Sequence, residues 1–241
     1  MLAIEARGLQ KVYGTLIALE GLDLAVKEGE LFALLGVNGA GKSTAIRLLS
    51  CLSRPTAGDA FVGGHSIQKD PAGVKNCIGV APQETALAPN LTVKENLELL
   101  CGIYGLNRSQ TRERIGELSE AFRLEQILQR RAGKLSGGWQ RRVSIALALV
   151  GKPSVLFLDE PTLGLDVIGR RELWELIRSL KGKITVILTT HYMEEAEILS
   201  DRVGVLKDGK LLTVGTPREL MERTGTDRFE DAFLRMVKEG A

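Results

Sequence analysis

The chain has 241 residues, 44% of them hydrophobic, and 32 Lys and Arg against 30 Asp and Glu give a formal net charge of +2. That composition is ample for one compact core, and no internal repeat or low-complexity linker interrupts it. The near balance of charge, without a long block of one sign, excludes the general electrostatic footprint of a nucleic-acid binder.

No stretch approaches the ~18 consecutive apolar residues of a membrane-spanning helix; runs such as Ala146-Leu147-Ala148-Leu149-Val150 are far shorter, so any membrane role must come through a partner. The first residues, Met1 to Arg7, meet an acid at Glu5 and lack the layout of a secretory signal, which predicts a protein that stays inside the cell. Cys51, Cys77 and Cys101 are odd in number and widely spaced. They suggest neither a disulfide framework nor a zinc site and read as buried thiols of a reducing cytosol.

Taken in chain order, alternating apolar positions predict strands at residues 4–9 and 22–26, with Tyr13 in the loop after the first. The apolar run 31–35 predicts a buried strand and residues 44–52 a helix. A further strand ends near Ala81. Residues 84–151 read as mostly helical: Thr92-Val93-Lys94-Glu95 has the pattern of a capping box, residues 108–122 are rich in charged helix formers, and a helix is expected at 140–150. Short strands follow at 155–158, 185–188, 203–206 and 211–214, so the layered α/β core is split in sequence around a helical insertion. Thr216-Pro217-Arg218-Glu219 repeats the helix-start signal, and residues 229–239 read as a terminal amphipathic helix.

Gly36-Val37-Asn38-Gly39-Ala40-Gly41-Lys42-Ser43 carries the most functional information, because it joins the buried strand to a helix in the context a phosphate-binding loop requires. Its glycines let successive backbone N–H groups converge on phosphate oxygens, and the helix presents its positive end to the same charge. Lys42 is placed to reach the β- and γ-phosphates, and the Ser43 hydroxyl to ligate magnesium. Asp159 and Glu160 follow the 155–158 strand at its carboxyl end, where open α/β sheets bind ligands. Asp159 would hold the ion and Glu160 polarise the water that attacks the γ-phosphate. A second anion site is written in Ser136-Gly137-Gly138, which opens a helix. His191 ends the strand through Thr189-Thr190 and would emerge on the same sheet edge as Glu160; His65, in a Gly63-Gly64 turn, has no assigned role.

Leu135-Ser136-Gly137-Gly138 lies about twenty residues ahead of Asp159-Glu160-Pro161-Thr162, and Gly164-Leu165-Asp166 follows. With the phosphate loop, Gln83 and His191, this order resembles the ATP-binding subunit of ABC transporters over essentially the whole chain. The resemblance implies a P-loop NTPase core with an antiparallel β subdomain (residues 1–83 and 152–216), a helical subdomain carrying the signature segment (84–151) and a helical tail (217–241). It implies ATP and Mg2+ as ligands, with Ser43, Gln83 and Asp159 around the metal and Gly36 to Thr44 around the phosphates. Tyr13 would stack on adenine, Gln83 would couple the metal site to the helical subdomain, and His191 would contact the γ-phosphate and support Glu160. Asp166 would contact the nucleotide, and Ser136-Gly137-Gly138 would cap the γ-phosphate held by a second copy of the chain or a related ATPase subunit, so that two ATP molecules are buried at a two-fold interface. A groove near residues 83–104 would receive a cytoplasmic helix of an integral membrane permease, placing the chain on the cytoplasmic face of the membrane.

Two residues depart from the family pattern: Trp139 stands where glutamine is usual, and Leu163 where a small polar residue is usual. Gly215-Thr216-Pro217-Arg218-Glu219-Leu220, Phe229 to Leu234 and His191-Tyr192-Met193-Glu194-Glu195-Ala196 resemble the ATPases of drug, sodium and polysaccharide exporters. The alternative is a soluble ABC protein serving as a switch or scaffold, disfavoured because no coiled-coil insertion, second ATPase half, cysteine-rich module or basic patch is present. A P-loop small-molecule kinase leaves Ser136-Gly137-Gly138 and Asp166 unexplained.

Overall fold

The computed structural model describes residues 1–239; the last two residues of the expected tail lie outside the described residues. A long hairpin opens the chain, β1 (Leu2–Tyr13) pairing antiparallel with β2 (Leu16–Lys27). Both strands run well beyond the alternation read from sequence, and Tyr13 is the last residue of β1, not a loop residue. Cross-strand pairing carries the polar Lys11, opposite Leu19, through register shifts that the apolar pattern alone does not reveal.

β3 (Leu31–Leu35) is buried at all five positions, as a strand covered on both faces must be. α1 (Lys42–Leu49) follows the phosphate loop, starting two residues and ending three residues earlier than the spacing predicts; Cys51, at φ 57°, turns the chain out of the helix. Then come β4 (Ala57–Val62), β5 (His65–Ser66) and α2 (Pro71–Cys77), none of which the apolar pattern announces, and β6 (Ile78–Ala81). His65 belongs to β5, with Nδ1 2.7 Å from the Asp70 carboxylate that caps α2.

The insertion holds α3 (Val93–Ile103), α4 (Arg108–Phe122) and α5 (Gly137–Ala148). Thr92 and Glu95 form the expected capping box, and Asn107 with Gln110 forms a second. α5 starts at Gly137, three residues before the expected start, because Ser136 stands at its N-cap. The core resumes with β7 (Val155–Asp159), α6 (Val167–Arg178), β8 (Thr185–Thr190), α7 (Met193–Leu199), β9 (Arg202–Lys207) and β10 (Lys210–Gly215), and ends in α8 (Pro217–Thr224) and α9 (Phe229–Glu239).

Two sheets result. The six-stranded sheet has the order β10-β9-β3-β8-β7-β6, parallel except for β10; the four-stranded antiparallel sheet has the order β2-β1-β4-β5. Parallel order puts the carboxyl ends of β3, β6, β7 and β8 on one edge, which is where the loops bearing Gly36, Gln83, Glu160 and His191 emerge. One apolar cluster joins the parallel sheet to the helical insertion and α9, and a second joins it to the antiparallel sheet and α1. Of the three free cysteines only Cys101 is buried; Cys51 and Cys77 are half-buried. No helix among the described residues is long and apolar enough to cross a membrane.

Candidate active site

The phosphate loop fits its surroundings at the level of single atoms. A Cβ on Gly36 would stand 2.4 Å from the carbonyl oxygen of Leu206, and one on Gly41, at φ 104°, would stand 2.6 Å from that of Ala18. Only glycine lets the loop lie this close to β9 and β2 and turn into α1. The Lys42 ammonium, on a side chain 4% exposed, donates to the carbonyls of Gly36 (2.8 Å) and Val37 (3.1 Å) and lies 3.3 Å from Glu160 Oε1. A buried cation needs such partners, and the same three-donor head is available to phosphate oxygens.

Two adjacent acids diverge in role at the end of β7. Asp159 Oδ1 accepts hydrogen bonds from Ser43 Oγ (3.0 Å) and Thr189 Oγ1 (2.6 Å), tying β7 to α1 and β8. Glu160 takes the left-handed backbone conformation at φ 46°, strain on the order of 1–3 kcal/mol that concentrates at functional sites. Its own N–H donates to Thr189 Oγ1 (3.0 Å), which holds the turn. That turn aims the carboxylate back over the loop, with Oε1 toward Lys42 and Oε2 3.2 Å from His191 Nδ1. Thr189, unassigned in the sequence reading, therefore serves both acids; its signal was only its place beside His191.

A cleft of about 690 Å³ unites Tyr13, Asn38, Gly39, Gly41 to Thr44, Gln83, Glu160 and His191. Leu16, Ile17 and Ala18 extend it past the half-exposed Tyr13 ring, over which Lys11 Nζ lies at 4.8 Å. Leu163 and Asp208 also line it, and the sequence reading gave Asp208 no role. Gln83 is held through its backbone: Arg141 of α5 donates to the carbonyls of Pro82 (2.7 Å) and Gln83 (2.6 Å). Burial draws the Arg141 guanidinium pKa down, opposed by the charges of Asp159 and Glu195. This contact physically joins the helical insertion to the loop after β6, a link invisible across 58 residues of sequence.

Ser136, Gly137 and Gly138 do not share that cleft. With Trp139, Arg142, Gly164, Asp166 and Glu172 they line a separate one of about 320 Å³. The Ser136 side chain makes no capping bond to α5, and Asp166 caps α6 by accepting from the Gly169 N–H at 2.7 Å. Asp166 thus stands with the second anion site and not with the phosphate loop of its own chain. Trp139 is half-buried against the helical core, its ring under the Arg142 guanidinium at 4.5 Å, and Arg142 is ion-paired with Glu172. A third cleft, about 400 Å³, is lined by Tyr104, by Arg114 and Glu117 of α4 and by Gly151; Leu99 and Ile103 of α3 are exposed.

Comparison with known proteins gives this arrangement a lineage. The family described as ABC transporter matches residues 19–163. The chain is 42% identical over 241 residues to the doxorubicin resistance ATP-binding protein DrrA of Mycobacterium tuberculosis, covering 99% of this chain and 72% of that protein. It is 44% identical over 234 residues to the daunorubicin resistance ATP-binding protein DrrA3 of Streptomyces coeruleorubidus, covering 97% and 74%. Among solved structures, an ATP-binding subunit of an ABC transporter superposes with a TM-score of 0.86 at 29% identity, over 97% of this chain and 99% of that one. A dimeric, post-hydrolysis ATP-binding cassette bound to ADP and Pi gives 0.80 at 29% identity, over 88% and 98%.

Proposed function

The chain belongs to the ABC transporter family of ATP-binding and ATP-hydrolysing subunits, and from that premise we propose that it powers export of a compound through a separate integral membrane permease, by closing on a second copy of itself around two ATP molecules. The observation that carries this reading is the separation of the two clefts. Lys42, Glu160 and His191 line one, Ser136-Gly137-Gly138 and Asp166 the other, so the second can complete a nucleotide site only on another chain.

Adenine stacks on Tyr13, and the loop from Gly36 to Thr44 cradles the phosphates with its N–H groups. Lys42 exchanges its carbonyl partners for β- and γ-phosphate oxygens. Glu160 accepts a proton from the water whose oxygen attacks the γ-phosphorus as the bond to the bridging oxygen breaks, giving ADP and phosphate. His191 holds the Glu160 carboxylate and reaches the γ-phosphate. Ser43 Oγ and Asp159 Oδ1, 3.0 Å apart, are the hard oxygen donors that suit Mg2+, with Gln83 on the same cleft. The ion, when bound, would offset charge on the phosphate oxygens.

In this division of labour, residues 1–83 and 152–216 bind and hydrolyse ATP, and 84–151 carry both the signature segment and the permease dock. Residues 217–241 form the tail. The exposed Leu99, Ile103 and Tyr104 of α3 support a protein partner on that face. Export and the drug-like class of cargo rest on the doxorubicin and daunorubicin resistance roles of the relatives. The chain then sits on the cytoplasmic face of the membrane through its permease. Affinity capture of the tagged chain from detergent-solubilised native membranes should bring down one multi-span protein; purely soluble partners would overturn the transporter reading.

A further inference from the structure

We infer that Glu195 is a positioning residue for hydrolysis: its buried side chain locks the turn that carries Glu160 and Asp166 onto the helix that follows His191. Glu195 lies in the first turn of α7 and is fully buried. Its Oε1 accepts two hydrogen bonds, from Thr162 Oγ1 at 2.9 Å and from Trp174 Nε1 at 3.0 Å. Its Oε2 has no protein partner among the described residues. The nucleotide chemistry derived above uses none of these atoms.

The donors define what is being held. Thr162 is buried between Glu160 and Asp166, in a stretch folded on itself by Leu163 N–H to Glu160 O (3.2 Å) and Leu165 N–H to Thr162 O (3.1 Å). Trp174 belongs to α6, the helix that Asp166 caps. Glu195 follows His191 by four residues. Two rungs therefore join the same two segments: His191 to Glu160 at the solvent end, and Glu195 to Thr162 in the core. The outer rung is a single contact to an imidazole 26% exposed. The inner rung fixes the distance between the segments and so the contact of base and histidine.

Burial of a carboxyl solely for stability is a poor exchange, since an apolar residue of similar size usually serves as well. Burial pushes the Glu195 carboxyl up, opposed by the hydroxyls of Thr190 and Thr162, the Trp174 N–H and the charge of Arg170. The acceptor oxygen serves in either protonation state, because a carboxylic acid keeps a carbonyl oxygen. The inference rests on ATP hydrolysis at Glu160 and not on a permease, so an outcome of the membrane capture leaves it intact.

Steady-state ATP hydrolysis by Glu195→Ala, Thr162→Val, the double variant and Glu195→Gln tests it. Each of the first two should lower kcat by about 10- to 100-fold, the scale of a misplaced catalytic group, while KM for ATP stays within about threefold, because the phosphate loop is held by other bonds. The double variant should be no slower than the slower single one, since both remove the same bond. Glu195→Gln, whose amide oxygen accepts both bonds, should recover kcat to within about threefold of the parent. Parent-like kcat in both single variants would overturn the inference. So would a loss of kcat that comes with raised KM and lowered Tm and is equal in Glu195→Gln and Glu195→Ala, which would mark Glu195 as a fold residue only.

Discussion

The two anion-binding clefts are built from opposite materials. The phosphate-loop cleft sets charged side chains on the buried ends of parallel strands, where Lys42, Asp159 and Glu160 are each less than a tenth exposed and every one has a fixed partner. The signature cleft offers a helix N-terminus, two glycines and an N-cap serine that makes no capping bond, with Asp166 engaged in capping its own helix. On the proposed reading the first binds and transforms a phosphate, because a carboxylate, a cation and a hydroxyl converge there. On the same reading the second only holds one through backbone dipoles, because its carboxylates are engaged elsewhere, Asp166 in capping α6 and Glu172 in the ion pair with Arg142. One chain is thus complete in chemistry and incomplete in enclosure, which makes a second copy the natural closure.

The contrast breaks most severely at Glu160. Replacing it with glutamine should lower phosphate release by about 10²- to 10⁴-fold, the worth of a general base, while ATP still binds and size-exclusion chromatography in ATP shows a stable dimer. Turnover at the parent rate would remove Glu160 as the base. Lys42→Ala should cost roughly 10²- to 10³-fold in kcat, as loss of one charge-stabilising donor does, and should also weaken ATP binding, measurable by calorimetry; intact affinity would mean that the backbone cradle suffices.

On the signature side a side-chain change should matter much less. Trp139→Gln should hold ATP hydrolysis within about an order of magnitude of the parent, because Trp139 carries no proposed proton or phosphate contact. Complete loss would show that its packing under Arg142 shapes the cleft. The smallest effect is expected away from both clefts, at the capping box of α3. Thr92→Ala should lower stability by about 1 kcal/mol in a denaturant titration with hydrolysis unchanged. The Thr92 N–H, and then its hydroxyl, hold the Glu95 carboxyl below its ordinary range. A depressed carboxylate contributes stability above its unfolded pKa and loses it as pH falls through the folded value. Alanine keeps that N–H and removes only the hydroxyl's share, so the gap between parent and variant should be full at neutral pH and narrow slightly in acid; a gap that widens in acid would contradict the cap.

Legibility followed sequence distance. The phosphate loop, the Thr92-Glu95 box and the helices α4 and α9 were readable because each is specified by residues within a few positions of one another. The helical insertion showed as a change of period between two sets of strands. The extent of β1 and β2 was not readable, because their polar residues are held in the ladder by apolar partners on the other strand, Glu5 opposite Ala25 and Lys11 opposite Leu19. β4, β5 and α2 were missed because their apolar positions are few, and their order comes from the four-stranded antiparallel sheet and the Asp70 cap.

By itself, the sequence determined the chemistry: a glycine-rich loop with Lys42 and Ser43, acids at a strand end and a second glycine-led helix start, each a local pattern that backbone geometry makes specific. Only the tertiary structure decided which of these groups meet. Parallel strand order brought Glu160 to Lys42 and His191, Arg141 to Gln83 and Glu195 to Thr162, and it sent Asp166 to the other cleft. Those pairings depend on which strands are neighbours and on how side chains pack between them, and neither is encoded within any one stretch of the chain.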